Sequence, residues 1–150
     1  MEVDRQAPVF EAGEHLIQAG AEVVWDTLTD IGSWPRWMPG VKAVTVEGPP
    51  AVGTVFTWKA GPSTITSEIL ESDRPRSVGW KGRTIGIHAL HVWRLEQDGD
   101  ATMVVTEESW SGPLARLLRG PMGKTLKNTL DEGVVALKGE AERRGSAPNA

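Results

Sequence analysis

The chain has 150 residues, no Cys and a formal net charge of −4, with 17 Gly and 10 Pro. That length carries an independent core as one domain, 1–150, and the missing thiols exclude a disulfide framework and thiolate chemistry. The acidic balance argues against a general nucleic-acid binder, and no apolar run approaches the roughly 20 residues of a membrane span. The opening MEVDRQAPVF has no basic n-region and no apolar h-region, so no signal peptide is expected and a cytoplasmic protein is.

Residues 1–6 are expected to fray. Pro8 to Gln18 reads as a strand. Ala21, Val24, Trp25 and Leu28 then recur at helical spacing and make one apolar stripe on a short helix. Asp30 is a fitting N-cap for a further short turn. Trp34-Pro35-Arg36-Trp37-Met38-Pro39-Gly40 closes this helical region, because two prolines and a glycine punctuate it.

Strands follow. Val41–Glu47 is bounded by Gly48-Pro49-Pro50, and Thr54–Lys59 puts Thr54, Phe56 and Trp58 on one face. Thr64–Glu71 runs into Asp73-Arg74-Pro75, and Val78 and Trp80 share a face of the next strand. Ile85–Glu96 places Ile85, Ile87, Ala89, His91, Trp93 and Leu95 together, and Gln97–Asp100 turns into Thr102–Trp110. Short strands joined by tight turns predict an antiparallel meander.

The chain ends in a long helical region opened by Gly112-Pro113, with proline at a tolerated first-turn position. Leu114, Leu117 and Leu118 form one stripe; Leu126, Leu130, Val134, Leu137 and Ala141 form another. The stripes are out of phase, which predicts a kink or break within two residues of Gly120-Pro121. Lys124, Lys127, Asp131, Lys138 and Glu142 occupy the polar face, and the tail Arg144–Ala150 is expected to fray. The whole order is α+β: one strand, two short helices, six strands and a long helix that covers the apolar face of the sheet.

Seven Trp and no Tyr stand in the chain. A small domain rarely needs so many indoles to fill a core, and aromatic-lined concavities hold apolar small molecules.

Several segments together resemble the START-like helix-grip (SRPBCC) superfamily, and within it the polyketide cyclase/dehydrase and lipid-transport group. They are Ala21–Asp26, Leu28-Thr29-Asp30, Trp34–Val41 and Val52-Gly53-Thr54, then Pro75, Trp80, His91-Val92-Trp93, Glu107–Gly112 and Leu137-Lys138. The likeness runs from about Pro8 to Arg143. It implies a seven-stranded antiparallel sheet wrapped around the long helix, with two short helices between the first two strands. It also implies a deep cavity between sheet and helix for a lipid- or polyketide-like ligand. Relatives of cyclase type use an Arg, Tyr or His in that cavity. With no Tyr here, a Tyr-dependent mechanism is excluded.

Ligand-lining candidates are Trp37, Met38, Phe56, Trp58, Ile65, Val78, Trp80, Ile87, Trp93, Met122, Leu126 and Leu130. Catalytic candidates are His91 and Glu107. His91 shares an apolar strand face and offers general acid–base chemistry or a hydrogen bond to a ligand carbonyl. Glu107 and Glu108 point to opposite faces of one strand. Met103 and Val105 favour Glu107 as the inward one, whereas Thr102, Val104, Thr106 and Trp110 leave the choice open, and a bulge would switch it. The structural alternatives are a core histidine satisfied by its neighbours, and a glutamate that partners His91 or a Trp N–H.

His88 and His91 sit at an odd offset on a strand and diverge, so no metal is expected. Stoichiometric zinc that survives dialysis and is lost on His91→Ala would contradict that. Gly79-Trp80-Lys81-Gly82 lacks the spacing of a phosphate loop, and no cofactor is expected. The expected partner is a small apolar ligand, with no nucleic acid. Two functional classes stay open, a cyclase/dehydratase and a non-catalytic carrier, with a co-chaperone-like interaction module as a third.

Overall fold

The computed structural model describes residues 1–146. Strand β1 (Val9–Ile17) leads into α1 (Ala21–Thr29), a 3₁₀ turn (Ile31–Ser33) and α2 (Trp34–Trp37). Six strands follow: β2 (Val41–Val46), β3 (Val55–Ala60), β4 (Ser63–Asp73), β5 (Ser77–Thr84), β6 (Ile87–Asp98) and β7 (Ala101–Ser111). The chain closes with α3 (Pro113–Leu117) and α4 (Arg119–Ser146).

The seven strands form one antiparallel sheet in the order β1-β7-β6-β5-β4-β3-β2. Each neighbour in space is a neighbour in sequence except β1, which pairs with β7. This is the helix-grip arrangement that the resemblance implies. Register assigns the concave face, because residues directly opposite each other in a sheet share a side. One row across it reads Glu11, Glu108, His91, Trp80 and Ile69; the next reads Gly13, Thr106, Trp93 and Val78.

The main core gathers on this face beneath α1 and the second half of α4. Trp25, Trp34, Phe56, Ile69, Trp93, Val134 and Leu137 are all buried there. A second cluster of Val9, Ala115, Leu126 and Leu130 lies under α3 and the first half of α4, with Trp110 and Met122 against it.

The helical break falls where the two stripes change phase. Leu118 leaves the helical conformation at φ −113°, ψ 34°. Pro121 then stands in the first turn of α4, where an N–H would have no helical partner. Residues Arg144–Ser146 belong to α4, and Arg144 pairs with Glu140 and Asp30. The rest of the expected frayed tail lies outside the described residues.

Three expectations are corrected. Ile85 does not start β6: β5 runs on to Thr84, Gly86 turns the chain at φ +75°, and Ile85 is 91% exposed at the tip. Glu107 is not on the concave face, as described below. Residues 1–6 do not fray; they lie as a strap on the convex face. The reason is that this face carries buried Val92, Glu107 and Ser109, which need cover. Val3 is buried, the Asp4 N–H donates to Ser109 Oγ at 3.2 Å, and the Met1 ammonium meets Glu71 at 2.6 Å. Gly79 makes room for the strap, since a Cβ there would collide with Met1 Sδ.

The Met1 ammonium holds the Glu71 carboxyl below the usual carboxylate range. A lowered folded value means that the contact stabilises fully above the ordinary range and is lost as pH falls through the folded value. Acid should therefore loosen the strap before the sheet, seen as faster amide exchange at Val3–Arg5. Glu71→Gln should remove that pH dependence, and an unchanged acid limb in the variant would refute the assignment.

Gly112 joins β7 to α3 at φ +105°, and a Cβ there would lie 2.6 Å from the Gly86 carbonyl oxygen. Neither the conformation nor the space suits a side chain. Gly112→Ala should lower stability by at least about 1 kcal/mol in urea titration.

Candidate functional site

His91 stands mid-strand on β6, on the concave face, between the indoles of Trp80 and Trp93 at centroid distances of 5.0 and 5.3 Å. Its side chain is 12% exposed. Both ring nitrogens have partners from β7. Nδ1 lies 2.8 Å from Glu108 Oε1, and Nε2 lies 2.7 Å from Thr106 Oγ1.

The proton inventory follows from these bonds. The Thr106 hydroxyl donates to the Val92 carbonyl at 3.1 Å. Its oxygen is left to accept, so His91 Nε2 carries a hydrogen. Nδ1 faces a carboxylate, an acceptor, so one proton lies between Nδ1 and Glu108 Oε1. The Trp110 indole N–H donates to the other oxygen of Glu108. Glu108 thus has one oxygen fixed by an indole and the other engaged with a movable proton. Two polar side chains, each about one-eighth exposed, converge where the two apolar clusters meet.

Glu107 faces the other way. Its Cα partner on β6 is Val92, on the convex side, and the carboxylate is held by Arg94 and by Arg5 of the strap, the latter at 2.6 Å. The cause is plain alternation. β7 runs through this region without a bulge, so Thr102, Val104, Thr106, Glu108 and Trp110 share the concave side. The apolar pair Met103 and Val105 belongs to the convex face, which the strap and strand neighbours partly cover. Of the two glutamates between which the sequence left the choice open while favouring Glu107, the concave one is therefore Glu108. The signal for it was present in its i±2 neighbours Thr106 and Trp110.

The lining candidates divide in two. Phe56, Val78, Trp80, Trp93, Leu126 and Leu130 are at most 5% exposed and are packed. Trp34 meets Phe56 at 5.6 Å and Trp80 at 5.6 Å, so indoles occupy the interior. Trp37, Met38, Trp58, Ile65, Ile87 and Met122 are only partly buried and offer surface to a ligand. Trp58 donates its indole N–H to Ser67 Oγ at 3.1 Å. The indole N–H groups of Trp37 and Trp93 are buried without a partner. An unpaired buried donor costs about 1–3 kcal/mol, which an acceptor on a ligand would recover.

A family model described as polyketide cyclase / dehydrase and lipid transport matches residues 12–142. The chain belongs to that family. Solved structures agree on the fold. A hypothetical protein of Helicobacter pylori superposes with a TM-score of 0.82 at 17% identity, covering 93% of this chain and 91% of that one. An aromatase/cyclase from a Streptomyces species gives 0.78 at 20% identity, covering 92% and 97%. A START superfamily protein from Mycobacterium smegmatis gives 0.78 at 15%, covering 90% and 98%. No curated protein matches the sequence.

For a family member, the site is chemically spare. Among the described residues, no group of three or more His, Asp or Glu is placed to hold a metal ion, and no helix is long and apolar enough to cross a membrane. His88 is exposed on the other face from His91. The chemistry on offer is one histidine–glutamate pair, with Glu11 opposite Glu108 on β1, a hydroxyl and several indoles. That set can bind an apolar ring or chain, hold a carbonyl and move a proton.

Proposed function

We propose that this family member binds a polyketide-like or other apolar small molecule against the concave face and acts on it as a cyclase/dehydratase. The His91–Glu108 pair transfers the proton. The observation that carries this reading is the 2.8 Å contact of His91 Nδ1 with Glu108, itself fixed by Trp110. A binding surface lined by apolar atoms alone would favour a carrier. Here two titratable groups converge between packed Trp80 and Trp93 and half-buried Trp110.

Cyclisation of a flexible chain gains first from positioning. Holding the reacting atoms together contributes several kcal/mol before any proton moves. The pair then supplies a base and an acid in turn. Displacement of the Thr106 hydroxyl by a ligand oxygen exposes His91 Nε2–H, which gives its proton to a ligand carbonyl oxygen while the Glu108 carboxylate holds the Nδ1 proton. The ring, now neutral at Nε2, takes a proton from the carbon beside that carbonyl, and the enol carbon so formed closes the ring on a second carbonyl. In loss of water Nε2–H protonates the departing hydroxyl and then takes the proton from the adjacent carbon, so one water leaves and the protonated ring is restored.

The carrier reading rests on one observation, the two unpartnered indole N–H groups, which need only an acceptor on the ligand. Native mass spectrometry of freshly purified protein tests for a bound small molecule. Turnover of an aromatic or poly-carbonyl substrate, absent in Glu108→Gln, separates enzyme from carrier.

Binding itself is tested at Trp58. Titration with an apolar aromatic probe such as a naphthol should change Trp emission saturably. Trp58→Ala should weaken the affinity by more than its effect on folding explains. Unchanged affinity with an intact fold would remove Trp58 from the site.

A further inference from the structure

We propose that the end of the molecule formed by the β5–β6 turn, α3 and the first turns of α4 docks on an anionic lipid bilayer. The proposal is independent of the proton chemistry above, since it rests on surface charge and shape alone.

These elements are neighbours. The Leu114 N–H donates to the Gly86 carbonyl at 3.1 Å, so α3 sits against the β5–β6 turn. Three large apolar side chains stand out of this end: Ile85 at 91% exposure, Leu117 at 78% and Leu118 at 40%. They stand on separate protrusions, a tight turn and a short helix. An open depression of about 660 Å³ lies beside them, lined by Gly112, Pro113, Arg116 and Leu117.

Charge is segregated in the same direction. From Arg74 to Leu95 and from Ser109 to Leu130 the sequence holds no Asp or Glu, in a protein whose net charge is −4. Arg83, Arg116, Arg119 and Lys124 are exposed and form no ion pair among the described residues. At the opposite end the cations are matched. Arg74 pairs with Glu22 and Asp26, and Arg76 with Asp73. Four unpaired cations therefore gather around the exposed apolar tips, with Glu11 of β1 the acid beside the first turns of α4, while Lys42 and Lys59, likewise unpaired among the described residues, lie on the outer strands β2 and β3.

Apolar tips with cations set back behind them suit a bilayer surface. The side chains enter the acyl boundary while Arg and Lys stay at headgroup level. Anionic lipid attracts each such cation by about fivefold in binding. An acidic protein partner would use the charges but has less use for two separated apolar protrusions. The partly exposed Ile87, Trp110 and Met122 lie just inside this pole, so docking brings the concave face toward the lipid.

Co-sedimentation with vesicles tests this. The intact protein should sediment with phosphatidylcholine vesicles containing phosphatidylglycerol, remain in solution with pure phosphatidylcholine, and release as salt is raised. The double variant Arg116→Glu/Arg119→Glu should bind at least about twentyfold more weakly. Ile85→Asp/Leu117→Asp should also weaken binding, with unaltered thermal melts, since all four side chains are exposed. No sedimentation of the native protein with anionic vesicles at low salt would overturn the proposal. So would loss in the charge variant alone, which marks adsorption without insertion. Capture by polyglutamate in place of vesicles would overturn it as well, in favour of an acidic protein partner.

Discussion

His91→Gln is expected to cut kcat at least about a hundredfold while ligand binding persists, because positioned general acid–base catalysis contributes about 10²–10⁴-fold. Glutamine keeps a hydrogen-bonding group near Thr106 Oγ1 but cannot pass a proton between its two ends. Glu108→Gln should show a loss of the same order, since the amide cannot draw the Nδ1 proton. The effects should not add in the double variant, because the two groups act as one unit. Glu107→Gln supplies the contrast. It breaks the contacts to Arg94 and Arg5 and should cost about 1–3 kcal/mol of stability, yet leave kcat near that of the native protein. Steady-state kinetics on the variants decides it. Near-native turnover in His91→Gln would reduce the histidine to a core residue and shift the reading to a carrier or a purely conformational cyclase.

Trp34→Ala is expected to remove about 3–5 kcal/mol of folding stability, a large part of the about 5–15 kcal/mol that a domain possesses. The indole is 2% exposed and meets Phe56, Trp58 and Trp80 within 5.8 Å. Its N–H donates to the Leu28 carbonyl at 2.9 Å, which ties the end of α1 to α2. Alanine leaves a void under three aromatic side chains and a buried carbonyl without its donor. Urea unfolding followed by circular dichroism gives the size. A loss below about 1 kcal/mol would show that the rings collapse into the gap, and Trp34 would then be a replaceable filler.

The architecture was legible because its signals are periodic. Ala21, Val24, Trp25 and Leu28 make a helical stripe, and the strand residues alternate between glycine and proline turns. The two leucine stripes, out of phase, placed the break that the structure shows at Leu118. The site was legible in part. His91 lies on the face its neighbours Ala89 and Trp93 indicate. Glu107 was misread because apolar character was taken as the mark of the inner face. Both faces of β7 are partly buried in this fold, one by α4 and the other by the strap, so hydropathy alone does not tell them apart. The strap was invisible for a related reason. MEVDRQA has no periodicity, and what holds it is a missing side chain at Gly79 and carboxylates from distant strands. Ile85 was read as strand because it continues the alternation of Ile87, Ala89, His91, Trp93 and Leu95, whereas Gly86 decides the turn.

The crowding of indoles has an optical consequence. Trp34 lies within 5.8 Å of Trp58 and 5.6 Å of Trp80, and His91 bridges Trp80 to Trp93. With no tyrosine in the chain, ultraviolet excitation falls almost wholly on tryptophan, and at such separations it passes between neighbouring rings before emission. The intrinsic fluorescence therefore belongs to a coupled antenna. The imidazole touches that antenna at Trp80 and Trp93, so a change at the His91–Glu108 pair should register in the quantum yield of these coupled indoles. The protein thus carries its own reporter for the charge state of its candidate site.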